Sequence, residues 1–193
     1  MTIYVADGMH LAKTLPKYLK EREVRKLLEC PSREKLRDRL ILRMLYRCGL
    51  RVSELTNLKI EEIDFTDSTL TVRGGKGGKD RLIPVDHQTL DMIEYFIEDA
   101  TSGYLILSER NEKLSSRQIE RLVEDYGKAA GIEQKVHPHM LRHSFAVHCL
   151  KSGMNLRTVQ KMLGHSSLTT TQIYLDITGE DVKADYFEHP LPV

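Results

Sequence analysis

Apolar residues recur at helical spacing over most of the chain and at every second position in one central stretch, and these two periods lay out the expected elements. Val24, Leu27 and Leu28 mark the inner face of a first helix, which Pro31 closes. Ser32 is placed to cap a second helix, whose face carries Leu36, Leu40, Met44 and Leu45 and which ends near Cys48-Gly49. Between Ile63 and Pro84 the period shortens. Ile63-Asp64-Phe65, Thr69-Leu70-Thr71-Val72 and Arg81-Leu82-Ile83 read as short strands separated by turn residues. Gly74-Gly75-Lys76-Gly77-Gly78-Lys79-Asp80 predicts a glycine-rich hairpin tip. Helices follow at 87–99, 115–130, 139–151, 155–163 and 168–176, and Tyr104-Leu105-Ile106-Leu107 reads as a strand or an extended connector. The stretch before Leu15-Pro16 has no period and reads as a linker or tail. The expectation is a mainly α fold with one small antiparallel β-sheet (α+β).

The chain has 193 residues, 40% of them hydrophobic and 30% charged, which suits one globular domain with its own core. Its apolar runs fall far short of the roughly 20 residues that span a bilayer, and no cationic-then-apolar leader opens it. Cys30, Cys48 and Cys149 are odd in number and widely spaced, as expected of thiols in a reducing cytoplasm. The net charge of +1 conceals an uneven distribution. Residues 1–50 hold 12 basic and 6 acidic groups, whereas 51–100 hold 6 and 11. The basic excess gathers in Arg22, Arg25, Lys26, Arg33, Lys35, Arg37, Arg39, Arg43 and Arg47. Such a cluster either is a solvated helix face or follows a phosphate backbone, where each neutralised phosphate releases counterions.

Several residues carry possible chemistry. Arg51 follows a helix-terminating glycine, with Glu54 three residues on as an ion-pair partner. Lys76 stands at the hairpin tip with Arg73, Lys79 and Arg81, a basic finger able to reach a phosphate. The tip lacks the Lys-Ser/Thr ending of a nucleotide-binding P-loop, so ATP use is not expected. His139 and Arg142 lie three apart, on one face of a helix, where both can address one anion. His139 and His143 stand at metal-binding spacing, but no Glu lies between them to act as a zinc protease's base, and no metal is assigned. Gly164-His165 punctuates two helices, and Tyr174 follows nine residues after His165.

In that order, Arg51, the lysine hairpin, His139-x-x-Arg142, Gly164-His165 and Tyr174 resemble the tyrosine recombinases, the integrase family that includes phage integrases and the Xer-type enzymes. The resemblance implies that family's catalytic-domain fold over residues 15–176, with 1–14 as linker or tail. It implies that Tyr174 attacks a scissile DNA phosphate, forming a 3′-phosphotyrosyl link and releasing a 5′-hydroxyl. Arg51 and Arg142 would clamp the non-bridging oxygens, His139 assist proton transfer from the tyrosine, and His165 hydrogen-bond the phosphate. Lys76 would protonate the departing oxygen, and Glu54 would orient its neighbours. Arg73, Lys79, Arg81, Arg43 and Arg47 would contact DNA. The chemistry fits those types: a phenol of pKa about 10 needs cations or a base nearby, and guanidinium forks match phosphate oxygens. The covalent link conserves the energy of the broken bond, so neither a metal nor another cofactor is expected.

Family members usually carry a helical domain before the catalytic one, and here about fifteen residues precede the match. The expectation is therefore a catalytic portion or a short member, working in the cytoplasm on double-stranded DNA. Residues 177–193 form a tail in which Tyr186 and Phe187 would anchor on a neighbouring protomer of a tetramer, or fold back on their own domain. A topoisomerase of type IB, relaxing supercoils with similar chemistry, and a non-catalytic DNA-binding or regulatory remnant are the alternative functions. The Gly-Leu-Arg-Val-Ser-Glu-Leu and Leu-Gly-His-Ser-Ser segments look more integrase-like than topoisomerase-like.

Overall fold

The helix marked by Leu36, Leu40, Met44 and Leu45 lies at the centre of the molecule. In the computed structural model, which describes residues 17–74 and 80–164, it runs Leu36–Arg47 and buries Asp38, Leu40, Ile41, Leu42, Met44 and Leu45. Burial on all sides of one helix means that other elements surround it. In chain order the elements are α1 (Glu21–Glu29), α2 (Leu36–Arg47), α3 (Val52–Asn57), β1 (Ile63–Asp64), β2 (Thr69–Val72), β3 (Arg81–Pro84), α4 (His87–Ile97), α5 (Ser116–Ala129), α6 (Pro138–Lys151) and α7 (Leu156–Leu163). Helices α1, α3, α4, α5 and α6 all contact α2. The three strands form one antiparallel sheet in the order β1-β2-β3, with Leu70 opposite Ile83 and Val72 opposite Arg81.

Local chemistry explains most boundaries. Ser115 caps α5, its hydroxyl accepting from Gln118 N–H, while the Gln118 side chain accepts from Ser115 N–H at 2.8 Å. Asp86 caps α4 through Thr89 N–H, and Asn155 caps α7 through Arg157 N–H. Helix α4 stops at Ile97, two residues earlier than expected, because Glu98 turns left-handed at φ 51°. Strand β1 stops at Asp64, not Phe65, because the Asp64 carboxylate accepts from the N–H groups of Thr66 and Asp67 and bends the chain.

Two expectations change. Ser32 does not cap α2; its carbonyl accepts from Lys35 N–H in a turn, and α2 starts after Lys35. Residues 52–57, left without an element by the sequence pattern, form α3. Tyr104 to Leu107 is an extended connector, held by single bridges from Tyr104 to Lys59 and from Leu107 to Lys113. The expected helix 168–176 and both tails lie outside the described residues.

Candidate active site

A buried glycine begins the site. Gly49 takes φ +58° after α2, and a Cβ there would stand 2.6 Å from Phe145 Cδ1 and 3.1 Å from Leu163 Cδ2. Only glycine lets the chain reverse this close to α6 and α7. The reversal puts Arg51 at the start of α3, in extended backbone conformation, where its N–H donates to Glu54 Oε2 at 2.8 Å. A carboxylate three residues into a helix commonly takes an orphan N–H of the first turn.

Glu54 then gathers cations. Its Oε1 accepts from Arg51 Nη1 at 2.7 Å and Arg81 Nη1 at 2.9 Å, and its Oε2 accepts from Arg81 Nη2 at 2.8 Å. Arg142 Nη1 stands 3.7 Å from Oε2. Burial alone would raise this carboxyl; the Arg81 fork, the Arg51 N–H and the Arg51 guanidinium outweigh it and hold the pKa at about 2. Three guanidiniums around one carboxylate leave a positive excess. Arg51 is the most exposed of the three, at 29% against 9% for Arg81 and 5% for Arg142. The excess therefore meets solvent chiefly at Arg51, where an anion would be attracted.

The two buried arginines serve a further need. The last carbonyls of a helix have no partner within it. At the end of α7, Arg81 Nε donates to Met162 O at 2.7 Å and Arg142 Nη2 donates to Leu163 O. Arg142 Nη1 also donates to Gly49 O, so one guanidinium joins the α2–α3 turn to the end of α7. Gly164 leaves α7 in the left-handed conformation, φ 62° and ψ 42°, directly against the Arg81 side chain.

Helix α6 carries the histidines. His137 caps it, its Nδ1 accepting from Met140 N–H at 3.2 Å, and Pro138 occupies the first turn. His139 is exposed one turn before Arg142, as the three-residue spacing requires. His143 is half-buried; burial, then electrostatic interaction with His139 and Arg142, push its pKa down to about 4, so its ring is neutral at pH 7. The structure thus brings Arg51, Glu54 and Arg142 together, with His139 on the same helix as Arg142. Lys76, Lys79, His165 and Tyr174 lie outside the described residues.

The expected DNA contacts divide. Arg73 is exposed and touches Glu62 Oε1 at 3.0 Å, and Arg47 is exposed beside the Tyr46 ring. Two of these arginines are bonded within the chain. Arg43 turns to the start of α4, bonding Thr89 Oγ1 at 2.7 Å, Asp86 Oδ1 at 2.9 Å and Gln88 Oε1 at 3.1 Å, where the Asp86 carboxylate supplies the opposite charge. Arg81 points inward and is spent on Glu54 and Met162. The signal that finds it is register: Ile83 faces the core with Leu70, so Arg81, two residues earlier, shares that face.

Comparison with known proteins identifies the family. The family model for the phage integrase family matches residues 17–180. Tyrosine recombinase XerA of Pyrococcus furiosus is 52% identical over 178 residues, covering 90% of this chain and 62% of that protein. The chain thus spans less than two thirds of that relative's length. The crystal structure of XerA recombinase superposes with a TM-score of 0.78 at 36% identity, covering 93% of this chain and 68% of that one. XerH site-specific recombinase, bound to palindromic difH substrate in a post-cleavage complex, gives a TM-score of 0.75 at 26% identity over 94% of this chain and 56% of that chain. By fold and by the extent of these matches, the chain belongs to the phage integrase family, the tyrosine recombinases.

Proposed function

We propose that the chain performs the strand-cleaving and rejoining step of site-specific DNA recombination. The observation that carries this reading is the arginine cluster around Glu54, tied to the end of α7 by Arg81 and Arg142, with its positive excess at Arg51. It stands where a phosphodiester can be met by fixed cationic donors, and transition-state charge on phosphate oxygens is what such donors stabilise most.

In this mechanism the Tyr174 oxygen attacks the scissile phosphorus and a P–O bond forms as the bond to the 5′-oxygen breaks. The tyrosine proton leaves with assistance from His139, and Lys76 supplies a proton to the departing 5′-oxygen. Arg51, Arg142 and His165 hold the non-bridging oxygens. Rejoining reverses the step on a second 5′-hydroxyl, and no bond energy is lost to water. Arg73, Lys79 and Arg47 add phosphate contacts, which give affinity without sequence information. Residues 15–176 form the catalytic unit. Residues 177–193 dock on a neighbouring protomer, so that active sites work in a tetramer on double-stranded DNA in the cytoplasm. No helix among the described residues is long and apolar enough to cross a membrane.

Nicked DNA that traps the covalent intermediate, resolved on a denaturing gel, tests the reading. Wild-type protein should give a protein–DNA band that Tyr174→Phe lacks while still binding DNA. Arg142→Lys should reduce the band about a hundredfold or more, since the charge stays and the fork is lost. A normal band from Tyr174→Phe would refute the reading.

A further inference from the structure

We propose that Arg81 is a positioning residue for the cleavage reaction, holding Arg51 and the end of α7 in one geometry, rather than a DNA contact; this rests on the recombinase reading above. No other described side chain is bonded both to Glu54 and to the Met162 carbonyl. Its two Nη atoms take the two oxygens of Glu54, at 2.9 and 2.8 Å, and its Nε takes Met162 O at 2.7 Å. Three donors in one plane, aimed at two elements, fix their distance and their relative angle. Glu54, held in this way, presents Oε1 to Arg51 Nη1 and Oε2 to Arg51 N–H, so the direction of Arg51 depends on the Arg81 fork. At the other end the Arg81 stem closes on Gly164: a Cβ there would lie 3.0 Å from its Cδ and 3.2 Å from its Nε. Gly164 is the residue before His165 in the chain. Arg81 thus ties the residue that leads to His165 to the carboxylate that aims Arg51.

Position in the sheet supports this role. Arg81 pairs with Val72 on the inner face, and its guanidinium is only 9% exposed. A DNA phosphate cannot replace Glu54 there without uncovering a buried carboxylate. Lysine at this position keeps the charge but carries its three donors on one nitrogen and cannot reproduce the planar fork that reaches both Glu54 oxygens and Met162 O at once.

The test compares wild type with Arg81→Lys in the full chain. Cleavage of nicked DNA is followed in a single turnover at saturating protein, alongside DNA affinity and its salt dependence. Positioning predicts that the cleavage rate constant falls about 10- to 100-fold, while affinity and salt slope stay within about twofold of wild type. A methylphosphonate at the scissile position, which lacks one charged oxygen, should shrink the deficit, because it needs less of the arginine clamp. A role in folding alone would reduce the fraction of protein that reacts and leave the rate constant of that fraction unchanged. That result overturns the proposal, as does a weakened affinity with a shallower salt slope and an unchanged rate. The geometry is read separately by NMR on the protein without DNA. The Arg51 Nε–H and Gly164 N–H resonances should shift in Arg81→Lys, and unshifted resonances refute positioning even in a chain that cleaves nothing. A wild type that forms no adduct would instead refute the recombinase reading and leave the NMR result to decide this one.

Discussion

Replacing Glu54 by Gln removes the charge that Arg51, Arg81 and Arg142 share, and its effect should depend on pH in a defined window. In the folded chain the Glu54 carboxyl has a pKa of about 2, against an ordinary value of 4.5. A folded value below the unfolded one means that the ionised form stabilises the fold. That stability is complete above about pH 6 and is lost as pH falls through 4.5 toward 2. The gap between the two values corresponds to about 3 kcal/mol, of which about 2 kcal/mol is gone at pH 3. A side chain only 10% exposed is little screened by solvent, so the figure stands at that order of magnitude. Glu54→Gln should therefore cost about 3 kcal/mol at pH 7, within the range for breaking one partner of a buried ion pair. Urea unfolding of both proteins at pH 6, 5, 4 and 3 is the assay. Asp86, whose carboxyl is also lowered, and His143 remain in both chains, so their contributions cancel in the difference. The difference should shrink by about 2 kcal/mol from pH 6 to pH 3. Two stability curves that run parallel over this range would show that Glu54 is not the charge on which the cluster is built.

Two further outcomes follow from the same region. Gly49→Ala places a methyl 2.6 Å from Phe145 in a left-handed backbone, and should cost about 2–4 kcal/mol, lowering Tm by about 5–15 °C; a Tm within 2 °C of wild type would count against the tight turn. His143, held neutral by burial, should titrate in the folded chain at about 4 by NMR. Because that value lies below the unfolded 6.5, the unfolded chain takes up the proton first, and this residue weakens the fold as pH drops below 6.5. A midpoint at 6.5 would mean that the ring is not buried.

The first turn of α5 and all of β2 are readable in the sequence because local chemistry determines them: Ser115 and Gln118 form a reciprocal cap, and Thr69-Leu70-Thr71-Val72 alternates cleanly. Helix α3 is not readable. Six residues make fewer than two turns, too few for a period to register, and the residue at its N-cap is Arg51, whose side chain accepts no capping hydrogen bond. It forms because Gly49 turns the chain and Glu54 satisfies the Arg51 N–H, and the second fact shows only when the fold is in view. Ser32 errs the other way, a good capping residue whose backbone is used in a turn before the helix begins.

The candidate site divides along the same line. The residue types and their order are legible, since Arg51, His139 and Arg142 stand at recognisable spacings. The division of labour among the arginines is not, because it depends on what each guanidinium meets in three dimensions. In Arg81-Leu82-Ile83 the two apolar residues permit either register, and only pairing with Leu70 sends Arg81 inward and leaves Leu82 63% exposed. The unpaired carbonyls of α7 then need donors, and Arg81 and Arg142 are within reach. A cation that ends a helix and neutralises a buried carboxylate is held in place by both. Arg51, whose guanidinium is bonded only to Glu54 among the contacts described and which is the most exposed of the three, keeps its charge toward solvent. Arg81 holds the geometry in which Arg51 and Arg142 can meet a phosphate, which is why lysine at position 81 should cost rate before it costs binding.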